Sequence, residues 1–353
     1  MAVYLHDKYA DKIGKKFVEA SFLKGRFSNE YNFSGVKTVK VMTPVTVPLV
    51  DYRRSGVNRY GEPQEMQDTV QEMTLTQDKA FSLTVDKGNN MDQHGLKAAG
   101  KMLSLQIEQQ CVPMMDKYAL ETIAKKAGTI VGNATALTKS NVIDRVTDGS
   151  VALDDAEIPS EGRTLFVSAK VHKMLRLAPE WVGVDDLGKQ ALAKGQVGEY
   201  DGMTVVKIPE GRWPANLNFL IVYKNSAMVA EKLHDTKLHQ DPPGISGNLM
   251  EGRFYYDAFV FEASAKGVYA DLNTASGAAA QVAAPTINAG TGAITGASGA
   301  TVYYTTDGSD PRYSASAKPG TVADVTTAGT VVKAYAVKEG SWPSAVTTVT
   351  LTA

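Results

Sequence analysis

The sequence predicts an α+β body followed by a small all-β domain, and three observations carry that expectation. Between Val36 and Val85, two long runs rich in Val, Thr and Leu, "VKTVKVMTPVTVPLV" and "DTVQEMTLTQDKAFSLTV", have strand composition, and the second alternates most clearly. From about Asp92 to Lys126, Leu96, Ala99, Leu103, Ile107, Cys111, Met114 and Tyr118 recur every three or four residues, the period of an amphipathic helix. Beyond residue 285 charge thins out and short Thr/Val-rich runs alternate with turns, as in a small β-sandwich.

Composition bounds the function. A chain of 353 residues, 43% hydrophobic and 21% charged, has apolar material for a packed core and the length of roughly two domains. Thirty-seven basic against 38 acidic residues leave no whole-molecule field to gather nucleic acid or an anionic membrane. The single cysteine, Cys111, cannot close an intramolecular disulfide; at its helical position it reads as a small buried apolar side chain, with intracellular synthesis implied. The first residues carry charges every few positions where a secretory leader needs an apolar core. No stretch approaches the ~18 apolar residues of a membrane span, so neither that export route nor membrane insertion is expected.

The elements follow in order. Residues 1–35 read as an arm with a short amphipathic helix (Ile13, Phe17, Val18, Phe22); its mild basic excess is either a solvated face or a contact with an acidic neighbour or nucleic acid. Residues 36–90 read as a long two-stranded hairpin. Its turn, "DYRRSGVNRYGEPQ", is marked by Gly56, Gly61 and Pro63 and charged by Arg53, Arg54 and Arg59. A hairpin this long is marginal alone and cannot bury both faces on its own domain, so it should lean on another subunit. The helix follows within 91–130, kinked at Pro113 and ended by Lys125, Lys126 and Gly128. Residues 131–272 mix a helix shortened at Gly149, the strand "RTLFVS", the helix "AKVHKMLRLA" stopped by Pro179, the strands "MTVVKIP" and "NFLIVYK", and a strong strand near Tyr255 to Glu262. Residues 273–284 have linker composition, and 285–353 form the β domain.

Catalytic and metal-binding patterns are missing from the sequence, so no enzyme, cofactor or metal site is expected. One cysteine and the scattered His6, His94, His172, His234 and His239 do not give zinc spacing. "GASGAT" lacks the lysine and the following helix of a phosphate loop. Asp154 and Asp155, like Asp185 and Asp186, are adjacent carboxylates that diverge in direction and read as solvated acids. "VSAKV" and "GKQAL" make no specific nucleophile site.

The order of arm, hairpin, long helix and compact α/β domain resembles the major capsid proteins of tailed bacteriophages, with local fits in "RTLFVSAKVHKMLR", "GQVGEYDGMTVVKIP" and "YYDAFVFEASAKGVYA". That resemblance implies a capsid fold of N-terminal arm, extended loop, peripheral domain with a spine helix, and axial domain. It implies copies assembled as hexamers and pentamers into an icosahedral virion shell around double-stranded DNA, without sequence-specific contact. It further implies portal and scaffolding partners, assembly in the host cytoplasm, and Arg53, Arg54 and Arg59 as candidates for intersubunit ion pairs, with solvated turn charges the alternative. A nanocompartment shell of the encapsulin type shares the fold and stays open as an alternative, as does a carbohydrate-binding surface protein or enzyme accessory. Some relatives lock their shells through a loop lysine bonded to asparagine; here no lysine lies between Lys40 and Lys79.

The tail, "GATVYYTTDGSDPRYS" with "GTVVKAYAVKEGSWPSAV", resembles the immunoglobulin-like C-terminal modules of chitobiases. Val302 to Thr306 would be a strand with one tyrosine inward and one outward, turned by Asp307-Gly308 and stopped by Pro311. Tyr303, Tyr313 and Trp342 are then either a platform for host-surface glycans or parts of the sandwich core and its edge. The linker and the balance of four acidic and four basic residues in 284–353 favour an independently folding knob projecting outward.

Overall fold

The computed structural model describes residues 21–33, 36–47, 49–63, 65–66, 68–92, 99–178, 198–274, 280–324 and 327–352. The predicted arm up to Ala20, Leu96, Pro179, Asp185, Asp186 and the centre of the linker lie outside them.

The hairpin strands are β1 (Thr38–Pro44) and β2 (Asp68–Thr74), and β3 (Gln77–Asp86) follows at once. The helical region comprises α1 (Lys87–Asp92), α2 (Ala99–Gln106), a π turn at Ile107–Cys111 and α3 (Val112–Lys125). Next come β4 (Thr129–Asn133), α4 (Val142–Asp155), β5 (Arg163–Ser168), α5 (Ala169–Leu177), β6 (Glu199–Tyr200), β7 (Met203–Ile208) and β8 (Leu217–Tyr223). Two 14-residue strands, β9 (Ala227–Gln240) and β10 (Gly247–Val260), precede β11 (Val268–Asn273). The last domain holds β12 (Thr286–Ile287), β13 (Ile294–Thr295), β14 (Thr301–Thr305), β15 (Lys318–Pro319), β16 (Val331–Val337) and β17 (Thr347–Thr350).

The second predicted strand does not run through. β2 pairs antiparallel with β1, Thr38 opposite Thr74, whereas β3 turns away and pairs with β10 in a three-stranded sheet ordered β3-β10-β9. The break lies at Leu75 and Thr76 and has a polar cause. Buried Asp257 accepts from the Thr76 N–H (2.8 Å) and hydroxyl (2.7 Å) and from the Tyr118 hydroxyl (2.9 Å), so one carboxylate ties the strand break, β10 and the spine helix together. Around it, Cys111, Phe254 and Tyr256 are buried with Phe81, Ile107, Met115 and Tyr118 packed on them, which seats the helix on this sheet.

The spine helix carries the compensation that Pro113 calls for: from Ala99 to Lys125 the chain stays helical and widens at one π turn. The π turn comes immediately before the first turn of α3, which contains Pro113. A proline has no amide to give the carbonyl four residues back, and the wider turn takes up its ring. Gly128 is not a left-handed cap, since its φ is not positive. Its N–H instead bonds the Ala265 carbonyl (3.1 Å), and a Cβ at Gly128 would lie 2.2 Å from that oxygen, so backbone proximity requires glycine. α4 runs unbroken through Gly149: a Cβ there would sit 2.8 Å from Ile221 Cδ1, and the glycine lets the helix close onto the sheet.

That sheet, ordered β4-β11-β8-β5-β7-β6, has all six residues of β5 buried. α4 and α5 cover one face around Val146, Leu153, Leu165, Phe219 and Ile221. α3 covers the other around Leu120, Ile123, Phe166 and Leu220. Two buried carboxylates fasten its rim. Asp271 accepts from Arg145, Asn133 Nδ2 (2.6 Å) and Asn218 Nδ2 (2.6 Å). Asp116 of α3 pairs with Arg212 (2.8 Å) and accepts from the Ser21 hydroxyl (2.6 Å). The last domain has its own core of Val302, Tyr304, Val332, Ala334, Ala336 and Leu351 in a four-stranded sheet, β15-β14-β16-β17. Tyr304 points inward and Tyr303 outward, as alternation requires.

Asp257→Ala should leave the Thr76 and Tyr118 donors buried without an acceptor and destabilise the chain by about 3 kcal/mol. Urea unfolding of variant and parent measures this; an unchanged midpoint would remove Asp257 as the fastening point.

Candidate assembly surfaces

The loop between β1 and β2 carries apolar side chains that nothing among the described residues covers. Of the fifteen large apolar residues exposed among the described residues, ten lie between Val36 and Met66. Leu49 is 102% exposed, Val57 87% and Tyr60 85%. The tip is nonetheless built. The Arg53 N–H bonds the Arg59 carbonyl (2.9 Å), the Gly61 N–H bonds the Asn58 carbonyl (3.0 Å), and the Tyr52 and Tyr60 rings meet edge to face at 5.1 Å. Gly56 (φ 88°) and Gly61 (φ 85°) supply the left-handed residues this turn needs. The result is a preformed apolar blade. Each aliphatic side chain it buries in a partner is worth about 1.5–3 kcal/mol.

Arg53, Arg54 and Arg59 all sit exposed on this tip and pair with no acid among the described residues. Arg59 Nε donates to the Gly56 carbonyl (3.2 Å), so part of its guanidinium closes its own turn. Sequence reasoning singled out these charges and missed Leu49, Val57 and Tyr60. The available signal was "VTVPLV", read as strand although β1 ends at Pro44: apolar residues in a Pro-interrupted, Gly-rich loop.

The second surface is internal. The expected free knob is docked, and residues 310–315 make the seam. Arg312 donates to the Ala127 (2.5 Å) and Gly128 (3.1 Å) carbonyls and Tyr313 donates to the Lys126 carbonyl (2.5 Å), all just past the end of α3. The Asp310 N–H bonds Glu262 Oε1 (3.2 Å), and the Ala315 N–H bonds the Val70 carbonyl (3.2 Å) on β2. Tyr313 and Trp342 are 6% and 3% exposed and join the body's buried cluster with Ala127 and Leu272. A ring so enclosed has no face for a sugar, which corrects the platform expectation for both residues. Tyr303 is half-buried and stacks on Tyr335 at 5.7 Å. On either side of the undescribed linker centre the chain is pinned, with Thr274 N–H on the Asn133 carbonyl (2.8 Å) and Val282 N–H on the Trp342 carbonyl (3.0 Å).

Glu262 is the weak point of the seam. Its Oε2 is buried without a hydrogen-bond partner among the described residues. Burial pushes its carboxyl above the ordinary glutamate range; the Asp310 N–H and Lys333 oppose the rise, and the charges of Asp310 and Asp307 add to it. Protonation is therefore easier in the folded chain than in the unfolded one. The stability this group contributes is full below the unfolded glutamate pKa and is lost as pH rises through the raised folded value. Glu262→Gln, which mimics the protonated form and adds a donor, should raise the thermal midpoint by about 1–3 °C at pH 8. The gap to the parent should close as pH falls into the carboxylate range; calorimetry across pH checks both.

Comparisons with known proteins agree with the two-part architecture. Residues 282–348 match the family model of the chitobiase/beta-hexosaminidase C-terminal domain. No match to a curated protein was found. Among solved structures, a chain of Mycobacterium phage Che8 aligns at a TM-score of 0.63 and 16% identity, covering 76% of this chain and 97% of that one. A chain from the capsid structure of the Cyanophage P-SCSP1u aligns at 0.62 and 13% identity (77% and 93% covered), and one from the asymmetric unit of the bacteriophage PhiM1 mature capsid at 0.60 and 15% (77% and 92%). The chain thus has the α+β fold of these phage capsid structures, extended by a small immunoglobulin-like domain similar to the C-terminal domain of chitobiases.

Proposed function

We propose that this chain is the shell subunit of a tailed-phage head. The observation that carries the reading is the preformed apolar blade, whose exposed Leu49, Val57 and Tyr60 mark a surface that a partner covers at a gain in free energy. Copies of one chain with one projecting blade make a heterologous contact, and such contacts close into rings when the rotation permits. Hexamers and pentamers of this kind tile a closed shell, in which many modest contacts sum to a stable lattice. The shell encloses double-stranded DNA, and a net charge of −1 fits enclosure without tight binding. Assembly in the host cytoplasm, on a portal and with a scaffold, completes the reading, and the virion is the destination. The arginines at the tip then meet acidic residues of the neighbour at the rim of the apolar contact, where charge steers more than it binds. The half-buried Tyr303 stacked on Tyr335 supports weak glycan contact by the last domain as a subsidiary role.

Leu49→Asp combined with Tyr60→Asp should raise the concentration needed for particle formation by about tenfold or more, because charge is placed at the centre of the apolar contact. Subunit stability should fall by no more than about 1.5 kcal/mol, the worth of the Tyr52–Tyr60 contact, since both sites are otherwise exposed. Electron microscopy and sedimentation read the first and denaturant unfolding the second; particles unchanged in yield would sink the blade as the assembly contact. Without a lysine between Lys40 and Lys79, boiled and denatured particles should run as single chains on a gel, and covalent ladders through the loop would contradict that.

A further inference from the structure

The Asp310–Ala315 turn touches three elements at once. It hydrogen-bonds the backbone just past α3 through Arg312 and Tyr313, the chain just past β10 through Asp310 and Glu262, and the middle of the hairpin strand β2 through Ala315 and Val70. Ser314 also lies in bridge register with Gln71 on β2. Gln71 is itself buried, and its side chain donates to the Val260 carbonyl (2.7 Å) while accepting from the Glu262 N–H (2.9 Å). β2 is thus held by the last domain through the Val70 carbonyl and by the end of β10 through the side chain of the adjacent Gln71. The chemistry suits the position. Carbonyls past a helix end carry the negative pole of its dipole, and a guanidinium with a phenol hydroxyl is a matched donor pair for them. The grip is also separable from the domain's own folding, because the core around Val302, Tyr304, Val332 and Leu351 does not include Arg312 or Tyr313.

We infer that this turn is a wedge that fixes the angle of the projecting hairpin, so that the last domain is a positioning part of the subunit as well as an appendage on it. β1 and β2 form a two-stranded sheet of their own, and such a pair holds its direction through what packs against it. The Leu75, Met73 and Phe259 cluster takes the end of β2, and the wedge meets the strand at Val70 and Gln71. The inference goes beyond the shell reading and rests on it only for its consequence. In a shell, a hairpin free to swing would reach its neighbour at variable angles, and the particles would vary in curvature.

The test is hydrogen exchange on the full-length chain, comparing the parent with Arg312→Ala/Tyr313→Phe in the same assembly state. Exchange of the β2 amides Val70 to Thr74 should rise about tenfold, as expected when one to two hydrogen bonds' worth of local stability is removed. Amides of β14 and β16 should keep their protection. Unchanged β2 exchange with β14 and β16 intact would overturn the wedge. If β14 and β16 lose protection as well, Tyr313→Phe alone decides: faster β2 exchange sustains the inference and parent-like exchange ends it. Electron microscopy of the same samples separates the two readings. Broader particle diameters in the variant extend the inference to the shell, whereas a parent that forms no particles refutes the shell reading and leaves the exchange result standing.

Discussion

A long antiparallel hairpin presenting apolar side chains to water is the constraint on which the rest of the structure depends. Burial of apolar surface is the dominant favourable term in folding, and here the hairpin and its loop withhold ten large side chains from it. The subunit is organised to tolerate that loss and to hold the loop ready. Asp257 anchors the point where the second strand leaves the hairpin, and Gln71 fastens the middle of β2 to the end of β10. At the tip, glycines and the Tyr52–Tyr60 contact keep the loop in shape without a core beneath it. Preorganisation of this kind lowers the ordering cost of association, so that more of the apolar burial is realised as binding.

The body supplies rigidity by the ordinary means. Its six-stranded sheet is covered on both faces, and buried carboxylates at Asp116 and Asp271 are each met by several donors. Such groups are costly if left unpaired and therefore specify a single arrangement when satisfied. The Asp116 cluster also fastens Ser21 and Phe22 to the spine helix.

Much of this was legible in the sequence because it rests on periodicity. The helical repeat around Ile107, Cys111 and Tyr118, the strands "RTLFVS" and "NFLIVYK", and the alternation of Tyr303 and Tyr304 all correspond to elements with those residues on the expected faces. What was not legible depended on partners distant in the chain. The break at Thr76 is set by Asp257, 181 residues away, and nothing local marks it. Gly149 and Gly128 looked like helix breakers, yet each is explained by a neighbour too close for a Cβ. For Tyr313 and Trp342 the sequence left a glycan platform and a place in the sandwich core or its edge both open, and neither names the body of the chain as the surface they meet. Their burial comes from docking, which no local pattern encodes. The assembly surface was half read: the hairpin was recognised and the arginines noted, while the apolar residues that define its chemistry were absorbed into a strand.

The central claim is that apolar burial of the hairpin, rather than ion pairing at its tip, drives association of the subunits. Sedimentation of the purified chain across protein concentration at low and at ~1 M salt tests it most directly, because at that ionic strength exposed charges are screened within ~3 Å while apolar contacts persist or strengthen. The account predicts large particles or capsomer rings at both salt levels. A stable monomer at high concentration under all conditions, or assemblies that fall apart as salt rises, would contradict it.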